Sequence, residues 1–202
     1  MSFIGTVPVQ SAEGEVRELY GRQQATLGYV PNYVKVFSLR PEVYAAWAGL
    51  LDGVRGNMDA RRYELVTLAA ARALGSSYCS LAHGKVLRDR FYAPEALAQI
   101  AGDFRTASLD PLDRAVMAFA EQVARDAASV TAQDVAGLRD LGLTDTEIFD
   151  VAAAASARCF FSKMLDALGA EPDAAYAELE GELQETLTVG RAITTRAPER
   201  LP

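Results

Sequence analysis

The sequence predicts an all-α protein, and three observations carry that reading. Apolar residues recur with a helical period over most of the chain, Gly and Pro fall where helices begin and end, and no segment keeps the two-residue alternation of a strand for long. The pattern from Glu13 to Leu27 is mixed. "GYVPNYVKVFSLRPEV" then carries two prolines, and Pro41 suits the first position of a helix reaching about Val54. "NMDARRYELVTLAAARALG" is rich in Ala and Leu, and Gly75 is its stop. A second helix follows at once, with Ser76 or Ser77 as its cap. Cys79, Ala82, His83 and Val86 fall there at i, i+3, i+4 and i+7, the spacing of a core-facing stripe, while Lys85, Arg88 and Asp89 take the other side. Past "FYAP" a short helix is expected over 94–101, then a longer one capped by Asp110 with Pro111 at its first position. Thr131 with Asp134, and Thr144 with Glu147, have capping-box spacing. The second box opens a long apolar helix to about Leu168, ended by Gly169. A last helix is expected near 172–187. "TVGRAITTRAPERLP" lacks periodicity, so the division expected is one helical domain over 1–187 and a C-terminal tail or oligomer arm over 188–202. Residues 58–74 and 109–125 share an acidic cap followed by an Ala/Leu-rich helix, a weak sign of duplication.

Composition narrows the function classes. A chain of 202 residues, half of them apolar, has enough material for a sizeable core. A formal net charge of −7 without a basic cluster argues against nucleic acid or an anionic membrane as partner. No apolar run approaches the ~20 residues of a membrane span, and no leader pattern opens the chain. The expected location is the cytoplasm. Two cysteines eighty positions apart make neither a disulfide framework nor a four-ligand zinc pattern.

The chemistry-bearing stretch is "LGSSYCSLAHGK", which holds the single histidine, His83, and one of the two cysteines, Cys79. In a helix capped at Ser76, Cys79 occupies the third position, where unpaired N–H groups and the helix dipole favour negative charge on sulfur. His83, one turn on, lies about 5–6 Å away at the Cβ level, within reach of proton exchange directly or through one water. The competing reading is two core residues on an apolar stripe. Glu64 shares a face with Leu68 and Ala71 on the preceding helix. Two antiparallel helices joined at Gly75 bring it toward His83, where a carboxylate fixes the tautomer of an imidazole. Its competing reading is a surface Glu paired with Arg61. Tyr78 offers a hydroxyl to a substrate oxygen or simply packs. Cys159 lies on a stripe with Ile148, Ala152 and Ala155, among Phe160 and Phe161, and reads as a core thiol rather than a redox partner. Glu64, Cys79 and His83 make a poor zinc set, so neither metal nor cofactor is expected.

Glu64, Tyr78-Cys79 and His83 resemble the motif of the alkylhydroperoxidase D (AhpD) and carboxymuconolactone decarboxylase-like superfamily, E-x11-C-x-x-C-x3-H. "LGYVPNYVKVFSLRPEV" before the motif, "DPLDRAVMAFAEQVARDAASVTAQDVAGLRDLGLTDTEI" after it and "KMLDALGAEPD" near the end resemble the peroxidase-related branch, so the likeness spans about residues 10–175. It implies an AhpD-like multi-helix bundle with the motif on a helical hairpin, a homo-oligomer of at least two subunits, and antioxidant reduction of small hydroperoxides. In that scheme Cys79 attacks the peroxide, Glu64 and His83 relay protons, and Ser76 and Tyr78 support the site. Ser76 stands where the family has its first cysteine, so no disulfide closes within the motif and an external thiol must act as reductant. The alternatives are a lyase or hydrolase of the lactone decarboxylase kind that uses His83 and Glu64, and a helical oligomer without chemistry.

Overall fold

Local signals set most helix boundaries. The Asp59 carboxylate accepts from the Arg62 N–H at 2.9 Å and opens one helix, and Asp110 accepts from the Leu112 N–H at 2.9 Å and opens another. Both capping boxes form, with reciprocal side-chain and backbone bonds between Thr131 and Asp134 and between Thr144 and Glu147. The computed structural model describes residues 2–202. Among them are ten α-helices: α1 (Gly14–Leu27), α2 (Asn32–Phe37), α3 (Pro41–Arg55), α4 (Ala60–Ala73), α5 (Ser77–Arg90), α6 (Pro94–Asp103), α7 (Pro111–Asp126), α8 (Ala132–Asp140), α9 (Asp145–Ala167) and α10 (Gly181–Leu187). Short 3-10 turns occupy Val9–Ser11, Ala127–Ser129 and Ala174–Glu178, and the extended pairing among the described residues is an isolated bridge between Val30 and Glu199. The all-α expectation holds.

Helix α4 is the centre of the bundle. Every residue from Tyr63 to Ala71 is buried, a run that is apolar apart from Glu64, Thr67 and the Tyr63 hydroxyl, and the helix packs against α5, α7 and α9. Its first turn is fastened to α7 by a clamp. The Arg61 and Arg62 guanidinium groups reach the buried Asp113 carboxylate at 2.5 and 3.2 Å, and Arg61 also donates to the Tyr92 hydroxyl at 2.7 Å. At its other end Gly75 adopts φ +69°, a left-handed turn that suits a residue without a Cβ and sends the chain directly into α5. A second, smaller cluster of Val9, Ala12, Leu19, Tyr20, Val30 and Val34 joins α1 to the bundle through Tyr33 and Tyr44.

The region after Gly169 departs from expectation. In place of one helix over 172–187, the chain forms the 3-10 turn at Ala174–Glu178, an extended Leu179, and then α10. The Pro172 carbonyl, which a helix would offer to the Tyr176 N–H, instead accepts from the Thr194 N–H at 2.9 Å, and the Tyr176 N–H turns to the Asp173 carbonyl at 3.0 Å. Cys159 also differs: it is half-buried at the edge of the core, and its neighbour Phe160 is exposed.

Residues 188–202 run back over their own chain. Gly190 donates to the Ser77 hydroxyl at 2.6 Å, Arg191 to the Asp166 carbonyl at 3.0 Å, and Leu201 to the Gln24 side chain at 2.6 Å, while Lys35 meets Glu199 at 2.6 Å. The crossing over α5 is tight. A Cβ at Gly190 would lie 2.2 Å from the Gly75 carbonyl oxygen, and backbone does not yield as a flexible side-chain tip does. Gly190→Ala is therefore expected to lower stability by about 1–3 kcal/mol, read as a fall of several degrees in thermal unfolding. An unchanged melting temperature would show that the segment does not bear on the start of α5.

Candidate active site

The stripe of Cys79, Ala82, His83 and Val86 on α5 faces a cavity rather than packed core. Its volume is about 520 Å³. α4 supplies Tyr63 and Glu64, α3 supplies Tyr44, Trp47 and Arg55, and α9 supplies Arg158 and Phe161. The antiparallel hairpin turning at Gly75 brings Glu64 to His83, as its spacing suggested, and Arg61 is engaged elsewhere. The Glu64 carboxylate meets His83 Nδ1 at 2.5 Å, with both side chains largely shielded from water.

Burial pushes the Glu64 carboxyl up, but His83 outweighs it with help from Arg55 and Arg158, and the group is held below its ordinary value. Burial and then Arg158 push the His83 imidazole down, and Glu64 opposes them without overcoming them. The pair at neutral pH is thus a carboxylate and a neutral imidazole. Assigning the ring proton to Nδ1, where the carboxylate accepts it, leaves Nε2 of this cavity-lining residue with the basic lone pair.

Cys79 is 1 % exposed, and its sulfur has a partner that the spacing did not suggest. Arg158 Nη1 donates to Sγ at 3.6 Å. Arg158 is itself 3 % exposed, with its guanidinium 5.5 Å from the Phe161 ring centroid and 5.8 Å from that of Trp47. Burial pulls this guanidinium down, yet Cys79 and Tyr63 outweigh burial and hold it above its ordinary value. It stays charged. In the sequence Arg158 is one cation in the long apolar helix "DTEIFDVAAAASARCFFSKMLDA", and the available signal was its cost: an unpaired Arg among Ala and Phe needs a buried counter-group.

Ser76 takes the N-cap position of α5, but its hydroxyl does not cap the helix. It is fully buried and leans toward Asp166, whose carboxyl burial pushes up and Ser76 eases down. Tyr78 also lies beside the cavity, with its hydroxyl turned away from it. The hydroxyl donates to Asp173 Oδ2 and accepts from the Tyr33 N–H at 3.1 Å, so its proton is not available to a substrate. Cys159 is outside the cavity lining, as its place next to Arg158 on one helix requires, and burial pushes its thiol up. No cluster of His, Cys, Asp or Glu suited to a metal ion occurs among the described residues, and no helix among them is long and apolar enough to cross a membrane.

Asp173 fixes the back of the site. It accepts from the Asn32 N–H at 2.8 Å as well as from Tyr78, and burial pushes its carboxyl up to about 6. A carboxyl whose pKa is raised on folding binds its proton more tightly in the native state. Its contribution is complete below the ordinary value of 3.8 and is lost as pH rises through about 6. Asp173→Asn is expected to flatten the fall in stability across that window relative to wild type, measured by urea unfolding at a series of pH values. Parallel curves for the two proteins would refute this.

Comparison with known proteins bears on the fold and on the segment that carries this site. Residues 41–101, which include Glu64, Cys79 and His83, match the carboxymuconolactone decarboxylase family. The search of curated proteins finds no match. Among solved structures, the AhpD core of an uncharacterized peroxidase-related protein from Ralstonia eutropha JMP134 superposes with a TM-score of 0.78 at 25 % identity, covering 87 % of this chain and 94 % of that one. An uncharacterized peroxidase-related protein from Silicibacter sp. TM1040 gives 0.75 at 22 % identity, covering 86 % and 94 %. The debrominase Bmp8, solved as a Cys-to-Ala variant in complex with 2,3,4-tribromopyrrole, gives 0.67 at 15 % identity, covering 91 % and 98 %. Over residues 41–101 the chain is thus similar to the carboxymuconolactone decarboxylase family, and its helical fold is like that of the AhpD-like structures.

Proposed function

We propose that the protein is a thiol-dependent, peroxidase-related oxidoreductase in which Cys79 reduces a hydroperoxide. One observation carries this reading: a buried sulfur, a charged guanidinium against it, and a neutral imidazole held by a carboxylate line one cavity. The guanidinium stabilises negative charge on Sγ by a charge-assisted contact. In this reading His83 Nε2 takes the thiol proton. Sulfur then attacks the terminal peroxide oxygen, the O–O bond breaks, and the departing alkoxide takes the proton back from His83, giving one alcohol and a Cys79 sulfenic acid. Glu64 holds the imidazole through the exchange. With Ser76 in place of a resolving cysteine, an external thiol condenses with the sulfenic acid and releases water. A second equivalent of thiol then attacks that mixed disulfide, freeing Cys79 and releasing the disulfide of the two external thiols.

Wild-type protein given one equivalent of peroxide should gain one oxygen in intact mass, form no link to residue 76, and lose activity in excess peroxide unless a small thiol is present. Ser76→Cys should instead lose two hydrogens and resist overoxidation, because i and i+3 at a helix start are close enough for a disulfide after local adjustment. Cys79→Ser should be inactive on hydroperoxides. A Cys79–Cys159 disulfide in wild type would overturn the account, and an unoxidised Cys79 would favour acid–base chemistry through His83 and Glu64.

Arg158→Gln removes the charge beside sulfur and should slow alkylation of Cys79 at neutral pH by about 10- to 100-fold, the effect of losing one charge-assisted hydrogen bond. Arg158→Lys should recover part of the rate. Equal rates in all three proteins would remove Arg158 from the mechanism.

A further inference from the structure

The groups at the floor of the cavity suit a thiol peroxidase, and the walls bear on which hydroperoxide it takes. The long wall is aromatic and stacked in advance. Phe161 lies against Trp47 at 4.0 Å between centroids and 15° between planes, and Phe37 backs Phe161 at 5.4 Å and 12°. Tyr33 meets Phe161 edge-on at 5.5 Å. Trp47 Nε1 donates to the Ala157 carbonyl at 3.4 Å, so the ring at the mouth of the stack is also held in plane. Rings fixed by their neighbours have little rotamer freedom to lose when a ligand settles on them. Such a wall suits a flat π-system, which gains offset or edge-on contacts that a puckered saturated ring of equal area does not.

The polar end of the ligand is specified by Arg158. Its Nη1 is used on Cys79, while its Nε is buried and has no hydrogen-bond partner among the described residues. A buried guanidinium N–H without an acceptor is costly, and a ligand oxygen placed there removes the cost. The same guanidinium lies over the Trp47 and Phe161 rings, so its nitrogens and the aromatic wall meet at one corner of the cavity, beside Sγ.

Resting on the reading of Cys79 as a peroxide-reducing thiol, we propose that the cavity selects an arylalkyl hydroperoxide, with Trp47 and Phe161 as the residues that set this preference. The aryl group lies on the stacked wall. The peroxide oxygens reach the corner where Arg158 Nε accompanies Sγ. Sulfur takes the terminal oxygen, the arylalkyl alcohol leaves with the returned proton, and the external thiol reduces the sulfenic acid as above.

The test separates selectivity from chemistry by using the unreactive product alcohol. Cys79→Ser protein is titrated with 2-phenyl-2-propanol and with 2-cyclohexyl-2-propanol, which share a carbon skeleton and a hydroxyl and differ in whether the ring is aromatic. Trp47 is the one tryptophan of the chain, so its fluorescence reports the cavity directly. The aryl alcohol should bind saturably and about 2- to 12-fold more tightly than its saturated counterpart, the span that aromatic contacts add beyond area. Trp47→Leu, followed by calorimetry, should abolish the preference, and Trp47→Phe should keep most of it. Cys79→Ala repeats the titration should the serine variant fail to fold. Equal or tighter binding of the cyclohexyl alcohol, or no saturable binding of either, would overturn the proposal. An aryl preference in a protein whose wild type reduces no hydroperoxide would sink the peroxidase reading and leave the cavity's selectivity standing. Hydroperoxide reduction without an aryl preference would do the reverse.

Discussion

Two opposite charges, the Glu64 carboxylate and the Arg158 guanidinium, are withdrawn from water inside an Ala- and Leu-rich helical core, and the rest of the site follows from what that requires. Neither is affordable alone at such burial, since an isolated ion in apolar surroundings loses far more solvation than packing returns. Their nearest partners are different groups. Glu64 takes the His83 N–H, while Arg158 takes the Cys79 sulfur and the faces of Trp47 and Phe161. Each compensating partner therefore also lines the cavity. The same field explains why His83 stays neutral beside a carboxylate that would ordinarily charge it: burial disfavours the imidazolium, and Arg158 adds repulsion.

Holding these charges in place takes a rigid frame, and the fold provides it from several directions. The Arg61–Asp113–Arg62 clamp fixes the first turn of α4, one turn before Glu64. Asp173 fastens Tyr78, the neighbour of Cys79, to the start of α2. The chain after α10 crosses the start of α5 at Gly190 and engages Ser77 two residues before the sulfur. Backbone and side-chain contacts at the start of α5 thus limit how far Sγ can move relative to α9, where Arg158 sits.

Much of this was legible in the sequence, for reasons that differ by residue. The helix starts at Asp59, Asp110, Thr131 and Thr144 were readable because capping is local chemistry, decided within three residues. Glu64 and His83 were readable as a pair because a hairpin with a one-glycine turn fixes which faces meet. Arg158 was not, because its partner lies seventy-nine positions away and no local spacing encodes a contact between α5 and α9. The split of the expected 172–187 helix was hidden for a related reason: the Pro172 carbonyl is claimed by Thr194, a tertiary bond that propensity does not see. The stripe on α5 shows a further limit. Apolar periodicity identifies the face turned inward but does not say whether the inside is packed atoms or a cavity, and here it is a cavity.

The cavity also bears on the proposed chemistry, because Ser76 stands where the motif that the sequence resembles has its first cysteine. With a hydroxyl at position 76, fully buried and leaning toward Asp166, the start of α5 offers no sulfur to a sulfenic acid, and the crossing segment at Gly190 covers that end of the helix. On the proposed thiol-peroxidase reading, an external reductant approaches Sγ from the other side, through the cavity. The cavity mouth is lined by Arg55 and Asp52 and its wall by Trp47 and Tyr44, so the route open to a small thiol is also the route open to the substrate. On that reading substrate and reductant use one entrance in turn. In a disulfide-forming site they would use two: the peroxide would enter by the cavity, and the reductant would meet a sulfur at the helix start. A hydroxyl at position 76 and the covering of its helix end are mutually consistent on that reading, because a position that exchanges no disulfide has no need of access.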